Sequence, residues 1–203
     1  MGYYIFIMNL KIYIMDCNNI PLEVLLSSPY ISMLEQSSFD KYKNELTKKE
    51  KVASSILKNK YVGKYYLNEY GKPLSDNCYF NVSHSHGYVA LVVDTVPVGL
   101  DIELIREVDK DLISYSTSEE EKEYVHDNVS FFEIWTNKEA LVKANGKGIK
   151  QKIDQIIGLP INGTRTFEGL TYFNVTSRYH DIILTVSRQD NINFTFNVIK
   201  EVI

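Results

Sequence analysis

Two apolar segments separated by a short turn constrain the fold of this chain most strongly. Residues 89–93 form an unbroken run of mostly β-branched apolar residues, which predicts a strand buried on both faces. Residues 94–97 break the run, and residues 98–102 resume it. Because alternate residues of a strand point to the same face, Asp101 and Glu103 project together. The pattern predicts either a divalent-metal site or a solvated acidic turn at the end of this strand.

The size and composition of the chain indicate an ordinary globular protein. Its 203 residues, 44% hydrophobic and 24% charged, are enough for one sizeable core or two small halves. Two cysteines, Cys17 and Cys78, form no disulfide framework or metal-ligand pattern, so we expect a reducing, cytoplasmic environment. The apolar start is interrupted by Asn9 and Lys11, which argues against a signal peptide or a membrane span. The apolar start indicates an edge or core strand, or an early start codon upstream of Met8, and we predict that residues 1–8 are an extension before a first strand at 11–15.

The charges are strongly segregated along the chain, although the net charge is only −4. Residues 40–72 and 138–152 are rich in lysine, and residues 101–123 are acidic. This pattern suits a polyphosphate ligand and a metal better than a nucleic-acid duplex. No arginine-rich or aromatic-interleaved stripe indicates nucleic-acid binding, so no nucleic-acid or membrane partner is expected.

Three helices are predicted along the chain. Residues 47–67 have a helical apolar spacing, with Thr47 and Glu50 as a capping box. Hydroxyls followed by glutamates at 116–121 predict a short helix start. Residues 131–143 form the clearest helix, which the glycines at 146 and 148 end.

Three side chains share one face of that last helix, because they are spaced four residues apart: Trp135, Glu139 and Lys143. A glutamate and a lysine at this spacing are common on helix surfaces, so the pair alone does not identify a site. The remaining third alternates apolar and polar residues at 167–175, 181–187 and 192–198, which predicts half-buried strands.

Three ordered motifs give the chain a specific resemblance. G-K-P at 71–73 is followed by F-N-V-S-H-S at 80–85, then by G-L-D-I-E at 99–103, and finally by W-T-N-K-E-A-L-V-K-A-N-G-K-G at 135–148. Together they resemble the motifs of the Sfp-type 4′-phosphopantetheinyl transferases, the larger single-chain class. The resemblance covers nearly the whole chain.

This resemblance implies a fold and a reaction. The expected fold is α+β, with two similar halves, 1–98 and 99–203, related by pseudo-twofold symmetry around a cleft that holds coenzyme A. The expected reaction moves 4′-phosphopantetheine from coenzyme A to a serine of an apo acyl or peptidyl carrier protein and releases adenosine 3′,5′-bisphosphate. A monomer that needs Mg²⁺, with Mn²⁺ as a possible substitute, is implied as well.

The resemblance also assigns roles to individual side chains. Oxygen ligands of the kind Mg²⁺ prefers come from Asp101, Glu103 and Glu139. Lys143 would meet a phosphate or protonate the leaving group. The residues expected to bind the phosphates of coenzyme A are Lys72, Ser83, His84 and Lys143, joined at the 3′-phosphate by lysines between 41 and 51, among them Lys48 and Lys51.

The base that activates the carrier serine has two candidates. Glu119 stands in a Y-S-x-x-E run like the family's F-S-x-x-E, and Glu139 is able to act through a water molecule. The sequence leaves this choice open.

Two other functions compete with the transferase reading. A nuclease of the (D/E)-x-K type needs a lysine two residues after the acid, but Leu104 and Ile105 follow Glu103. A non-catalytic module that binds coenzyme A or a carrier protein would tolerate loss of the carboxylates, whereas all three and Lys143 are present. The transferase is therefore the favoured function.

Overall fold

The computed structural model describes residues 8–69, 71–148 and 152–202. Its elements are, in chain order, β1 (Met8–Asp16), α1 (Leu22–Leu26), α2 (Met33–Ser38), α3 (Glu45–Tyr61), β2 (Tyr66–Leu67), β3 (Pro73–Leu74), β4 (Tyr79–Ser85), β5 (Tyr88–Asp94), β6 (Val98–Leu104), α4 (Lys110–Ser116), α5 (Glu119–Tyr124), α6 (Asn128–Asn145), β7 (Gly163–Phe167), β8 (Leu170–Tyr179), β9 (Ile182–Arg188) and β10 (Phe194–Lys200). The fold is mixed α+β, with two four-stranded sheets that each pack against helices. Among the described residues, no helix combines the length and the apolar character needed to cross a membrane.

The first sheet has the strand order β10-β1-β5-β4. Strands β1, β5 and β4 are antiparallel neighbours, whereas β10 pairs with β1 in parallel. Helix α3 lies on one face of this sheet, where Val52, Ile56 and Leu57 pack with Leu91 of β5. The last strand of the chain therefore belongs to the sheet that the first strand begins.

The second sheet has the order β6-β9-β8-β7 and is antiparallel throughout. Helix α6 packs closely on β6 and β9. The approach is closest at Gly99, where a Cβ atom would overlap the Ala140 carbonyl oxygen and the Ala144 amide nitrogen. Glycine at this position allows the helix backbone to touch the strand backbone.

The two sheets pack face to face and leave α3 and α6 on the outside. The core between them joins Ile12 and Val92 of the first sheet to Leu100, Ile102 and Leu184 of the second. The predicted facing of β6 is confirmed, because Leu100 and Ile102 lie in this core while Asp101 and Glu103 point towards α6. Strand β9 is buried along its whole length rather than half-buried, since α6 covers the face that the sequence pattern leaves polar.

Side chains of β4 join the facing edges of the two sheets. Side-chain oxygens of alternate β4 residues accept hydrogen bonds from alternate backbone amides of β6. In an ordinary ladder, backbone carbonyl oxygens would accept these bonds. The three bonds run from the Leu100 amide to Asn81 Oδ1 at 2.9 Å, from the Ile102 amide to Ser83 Oγ at 3.2 Å, and from the Leu104 amide to Ser85 Oγ at 3.2 Å. We call these three bonds the inter-sheet seam.

Two predicted boundaries are wrong. The first strand begins at Met8 rather than at residue 11, because Met8 pairs with Phe194 of β10. The predicted extension otherwise lies outside the described residues. The predicted helix at 47–67 runs from Glu45 to Tyr61, and its cap is Asn44, whose Oδ1 accepts the Thr47 amide at 2.9 Å.

Other sequence predictions are confirmed. Ser118 and Glu121 form a capping box at the start of α5. Helix α6 spans the predicted segment and ends at Gly146, which has a left-handed backbone with φ of 78°. These features depend on residues that are close together in the chain, which explains why the sequence pattern predicted them.

Candidate active site

A cavity of about 400 Å³ lies beside the inter-sheet seam, where β4, β6 and α6 meet. Both strands and the helix supply polar side chains to it, and its walls come from segments that belong to all three motifs of the sequence. The lining residues are Val82, Ser83, His84, Asp101, Glu103, Trp135, Glu139 and Lys143. The structure therefore brings together six of the side chains that the sequence singles out for chemistry.

Asp101 lies at the buried end of this cavity. Its Oδ1 atom accepts hydrogen bonds from Lys143 Nζ at 2.6 Å and from Ser83 Oγ at 2.9 Å. Burial raises the pKa of Asp101, and the ammonium group of Lys143 opposes that rise. Its Oδ2 atom is buried and has no hydrogen-bond partner among the described residues. One lone-pair-bearing oxygen is thus left available inside the cavity.

The other two carboxylates are held differently. Glu103 Oε2 accepts hydrogen bonds from Ser85 Oγ at 2.7 Å and from Arg106 Nη1 at 2.9 Å. Glu139 faces the same cavity from α6, where burial raises its pKa and the charge of Asp101 raises it further. A cation at this site would offset both the burial of the Glu139 charge and its repulsion by Asp101.

The donor set fits a hard divalent cation in its chemistry but is not closed around one. No three His, Cys, Asp or Glu side chains in the described ranges already stand in the arrangement of metal ligands. Lys143 now contacts Asp101, and Arg106 contacts Glu103, so these cations balance part of the negative charge. The unpartnered Asp101 Oδ2 and the repelled Glu139 are the features that fit Mg²⁺, which binds one or two protein carboxylates together with phosphates and water.

His84 lines the cavity and contacts Lys51 of α3, and we call these two residues the basic wall. His84 Nε2 lies 3.0 Å from Lys51 Nζ, and His84 Nδ1 lies 3.3 Å from Glu50 Oε2. Since an ammonium group only donates, Nε2 accepts and Nδ1 carries the proton towards Glu50. Burial and the nearby charge of Lys51 lower the pKa of His84. Glu50 also accepts the Gly87 amide at 2.8 Å, which explains why it does not serve the predicted capping box.

Four residues from the sequence prediction lie outside the cavity lining. Lys51 contacts His84 but does not itself line the cavity. Lys48 pairs with Asp40 at 2.7 Å on the surface of α3. Lys72 donates to the carbonyl oxygens of Lys143 at 2.6 Å and Ala144 at 3.4 Å, at the end of α6. Burial lowers the pKa of Lys72 to about 8.

Glu119 is the fourth residue outside the cavity lining. Its side chain is 91% exposed, and it pairs with Lys122 at 2.6 Å. The serine and glutamate that form the capping box are instead Ser118 and Glu121, two residues further along. The role of Glu119 as a base stays a prediction.

The sequence analysis did not predict a buried ion pair between Lys138 of α6 and Glu121 of α5. Lys138 and Glu121 have no exposed side-chain surface, and Lys138 Nζ lies 2.6 Å from Glu121 Oε2. The same ammonium donates to the carbonyl oxygens of Ser116 at 2.7 Å and Ile153 at 3.2 Å. The signal available in the sequence was a lysine, in W-T-N-K-E-A, at a position that the apolar helix buries.

Known proteins match the part of the chain that carries this site. Residues 97–186 match the family model described as the 4′-phosphopantetheinyl transferase superfamily. The chain is 33% identical over 139 residues to the 4′-phosphopantetheinyl transferase gsp of Aneurinibacillus migulanus, which covers 60% of this chain and 59% of that protein. It is 29% identical over 100 residues to Sfp of Bacillus subtilis strain 168, covering 45% of each chain, and 36% identical over 95 residues to psf-1 of Bacillus pumilus, covering 39% and 38%.

The matched region thus spans about 38–59% of the length of these relatives. The segment that matches the family model, residues 97–186, includes the strand that bears Asp101 and Glu103 and the helix that bears Glu139 and Lys143. The resemblance to the Sfp-type 4′-phosphopantetheinyl transferases that the three ordered motifs predict is confirmed by these matches.

Proposed function

We propose that this chain transfers 4′-phosphopantetheine from coenzyme A to a serine of an apo acyl or peptidyl carrier protein, with release of adenosine 3′,5′-bisphosphate. The observation that carries the proposal is the convergence of Asp101, Glu103, Glu139 and Lys143 on one cavity at the seam of the two sheets. The match of residues 97–186 to the family model supports it, as does the 33% identity to gsp over 139 residues.

Mg²⁺, or Mn²⁺ in its place, would be held by Asp101, Glu103 and Glu139. When bound, the ion neutralises the charge that develops on the pyrophosphate during transfer. The unpartnered Asp101 Oδ2 is the atom whose state most favours such a ligand.

Lys143 and a glutamate supply the proton transfers in this proposal. Lys143 Nζ reaches the cavity from α6 and donates to an oxygen of the departing bisphosphate. Glu139 is favoured over Glu119 as the base for the carrier serine, because Glu139 lines the cavity whereas Glu119 is exposed on α5. As a ligand of the ion, Glu139 would act on the carrier serine through a water molecule.

The phosphates of coenzyme A would lie along the basic wall of the cavity. Ser83 and His84 line it directly, and Lys51 contacts His84. We assign Lys48 and Lys72 to phosphate binding as well. Each would first release its present partner, which is Asp40 for Lys48 and the Lys143 carbonyl for Lys72. The 3′-phosphate would be recognised on this wall, far from the bond that breaks.

The order of elements supports two similar halves, 1–98 and 99–203. In the first, a strand (β1), a helix (α3) and a hairpin (β4 and β5) give the sheet order β1-β5-β4. In the second, β6, α6 and the hairpin of β8 and β9 give the order β6-β9-β8. We propose a pseudo-twofold relation between them, with the active site in the cleft, in a cytoplasmic monomer.

The test is an incubation of the chain with coenzyme A, Mg²⁺ and several purified apo-carrier proteins, with the mass of each carrier as the readout. We expect a gain of one phosphopantetheine group on at least one carrier. Glu139→Gln should lose most of this turnover, while Glu120→Gln, an exposed glutamate of α5, should retain it. Binding of coenzyme A without any mass gain on any carrier would favour the non-catalytic module instead.

A further inference from the structure

Two serines of the inter-sheet seam each connect a backbone amide to a carboxylate. The Ser85 hydroxyl accepts the Leu104 amide at 3.2 Å and donates to Glu103 Oε2 at 2.7 Å. Two residues earlier, the Ser83 hydroxyl accepts the Ile102 amide and donates to Asp101 Oδ1 at 2.9 Å. Each serine therefore contacts the strand that carries the carboxylate and the carboxylate itself.

The chemistry of a hydroxyl makes this arrangement directional. A serine has one proton to donate and two lone pairs to accept with. Because one lone pair of Ser85 Oγ accepts the Leu104 amide of β6, the hydroxyl proton points at Glu103. The Ser85 Oγ atom also lies 3.1 Å from His86 Nδ1. Ser83 and Ser85 are both buried, so water competes little for these bonds. The torsion of each carboxylate is thereby tied to the backbone of its own strand.

We propose that Ser85 is a positioning residue that fixes the Glu103 carboxylate in the cavity, and that Ser83 does the same for Asp101. The seam then has two functions, since it holds the sheets in register and orients two metal-ligand candidates. This inference rests on the proposed metal-dependent function. Groups that hydrogen-bond to metal ligands fix their orientation, and their loss costs metal affinity.

Asn81 provides an internal control, because it occupies the same seam without the second contact. Its Oδ1 accepts the Leu100 amide at 2.9 Å, as the serines accept theirs. Within the described residues, no carboxylate accepts a hydrogen bond from Asn81 in the way that Glu103 does from Ser85. Removal of Asn81 therefore tests the seam alone, and removal of Ser85 tests the seam and the carboxylate together.

The experiment measures Mn²⁺ binding by electron paramagnetic resonance at saturating coenzyme A, together with thermal melting, in the wild-type chain and three variants. Ser85→Ala should weaken Mn²⁺ binding by about 10-fold, as the loss of a hydrogen bond to a metal ligand does. Asn81→Ala should lower the melting temperature as Ser85→Ala does and leave Mn²⁺ binding unchanged. Ser83→Ala should weaken Mn²⁺ binding in the same sense, and it carries the test if Ser85→Ala does not fold.

The outcomes separate this inference from the function on which it rests. Mn²⁺ binding that is equal in the wild type, Ser85→Ala and Asn81→Ala overturns the positioning role and leaves the transferase proposal in place. Equal weakening in Ser85→Ala and Asn81→Ala also overturns it, since the seam alone would then account for the effect. A wild-type chain that binds no Mn²⁺ overturns both the metal site and the positioning role.

Discussion

Helix α6 carries two lysines, five residues apart, that each pair with a carboxylate in a different environment. Lys138 and Glu121 are fully buried, and every partner of the Lys138 ammonium is a protein oxygen. Lys143 and Asp101 are equally close, at 2.6 Å, but the Lys143 side chain is 28% exposed and Asp101 Oδ2 has no partner. An ion pair whose polar atoms all have hydrogen-bond partners within the protein has a structural role. An ion pair that leaves a buried oxygen without a hydrogen-bond partner indicates a place for a ligand.

The comparison predicts its largest effect at the buried pair. Lys138→Ala leaves the Glu121 carboxylate buried without its cation and should lower the free energy of unfolding by about 3–5 kcal/mol. Urea unfolding at neutral pH measures this change. The matched control is Lys147→Ala, which removes a half-exposed lysine 3.4 Å from Glu168 and should cost less than about 1 kcal/mol. Similar losses in both variants would remove the distinction between the buried pair and a surface pair.

Lys143→Ala should have the opposite profile. We expect kcat to fall by at least about 100-fold, in the range for loss of a proton donor, with a smaller loss of stability than Lys138→Ala. Phosphopantetheine transfer and urea unfolding of the same preparation provide both numbers. If Lys143→Ala unfolds the chain as readily as Lys138→Ala and retains kcat, the two pairs are alike and the comparison is wrong.

The pH dependence of the Lys143→Ala variant sharpens this contrast. Burial raises the pKa of Asp101 and Lys143 opposes the rise, so the variant should have a still higher Asp101 pKa. A carboxyl group with a raised folded-state pKa stabilises the fold below its unfolded pKa and loses that contribution as the pH rises. The stability deficit of the variant relative to the wild type should therefore be smallest in acid and grow towards neutral pH. A deficit that is independent of pH would contradict this.

A third lysine at α6 should have an intermediate effect on stability. Lys72→Met removes the donor to the Lys143 and Ala144 carbonyls and should cost roughly 1 kcal/mol at neutral pH. Because burial lowers the pKa of Lys72 from 10.5 to about 8, the unfolded chain holds this proton between those values and the folded chain does not. The wild type should accordingly gain stability relative to Lys72→Met from pH 8 to 10.5. Urea unfolding at several pH values measures it, and a constant difference would refute the assignment.

The smallest expected effect lies on the basic wall formed by His84 and Lys51. His84→Ala and Lys51→Ala should each reduce the discrimination between coenzyme A and its dephospho form by less than about 10-fold, because partly exposed charge contacts contribute only ~1 kcal/mol. The change should appear mainly in KM, since the contact is the same in the ground and transition states. Lys64→Ala, an exposed lysine outside the cavity, is the control. Unchanged discrimination in both variants would place the 3′-phosphate elsewhere.

The parts of this molecule that the sequence predicted depend on short-range periodicity. The facing of β6, the extent of α6 and the capping box at Ser118 all follow from residues within about one or two turns of one another. The grouping of Asp101, Glu103, Glu139 and Lys143 came from the resemblance of three motifs, because no periodicity joins a strand at 98–104 to a helix at 128–145.

The remaining features depend on contacts between distant segments. The sequence pattern does not show which strand Asn81, Ser83 and Ser85 contact, and their role in the seam appears only when β4 meets β6. The Thr47 capping box failed because Glu50 is taken up by Gly87 and His84, far along the chain. In both cases a tertiary contact decides which of several local bonds is formed.

The parallel pairing of β10 with β1 has a consequence for the order in which the protein is made. Strand β1 has two neighbours, and the second of them, β10, is not synthesised until residues 194–200 have been added, long after β5. Glu201 then accepts bonds from Lys60 and from Tyr61 at the end of α3. A ribosome that has produced only the first 193 residues therefore holds a chain whose β1 still has an unpaired edge. Because such edges associate with other chains, the time between synthesis of β1 and synthesis of β10 is when this protein is most exposed to aggregation.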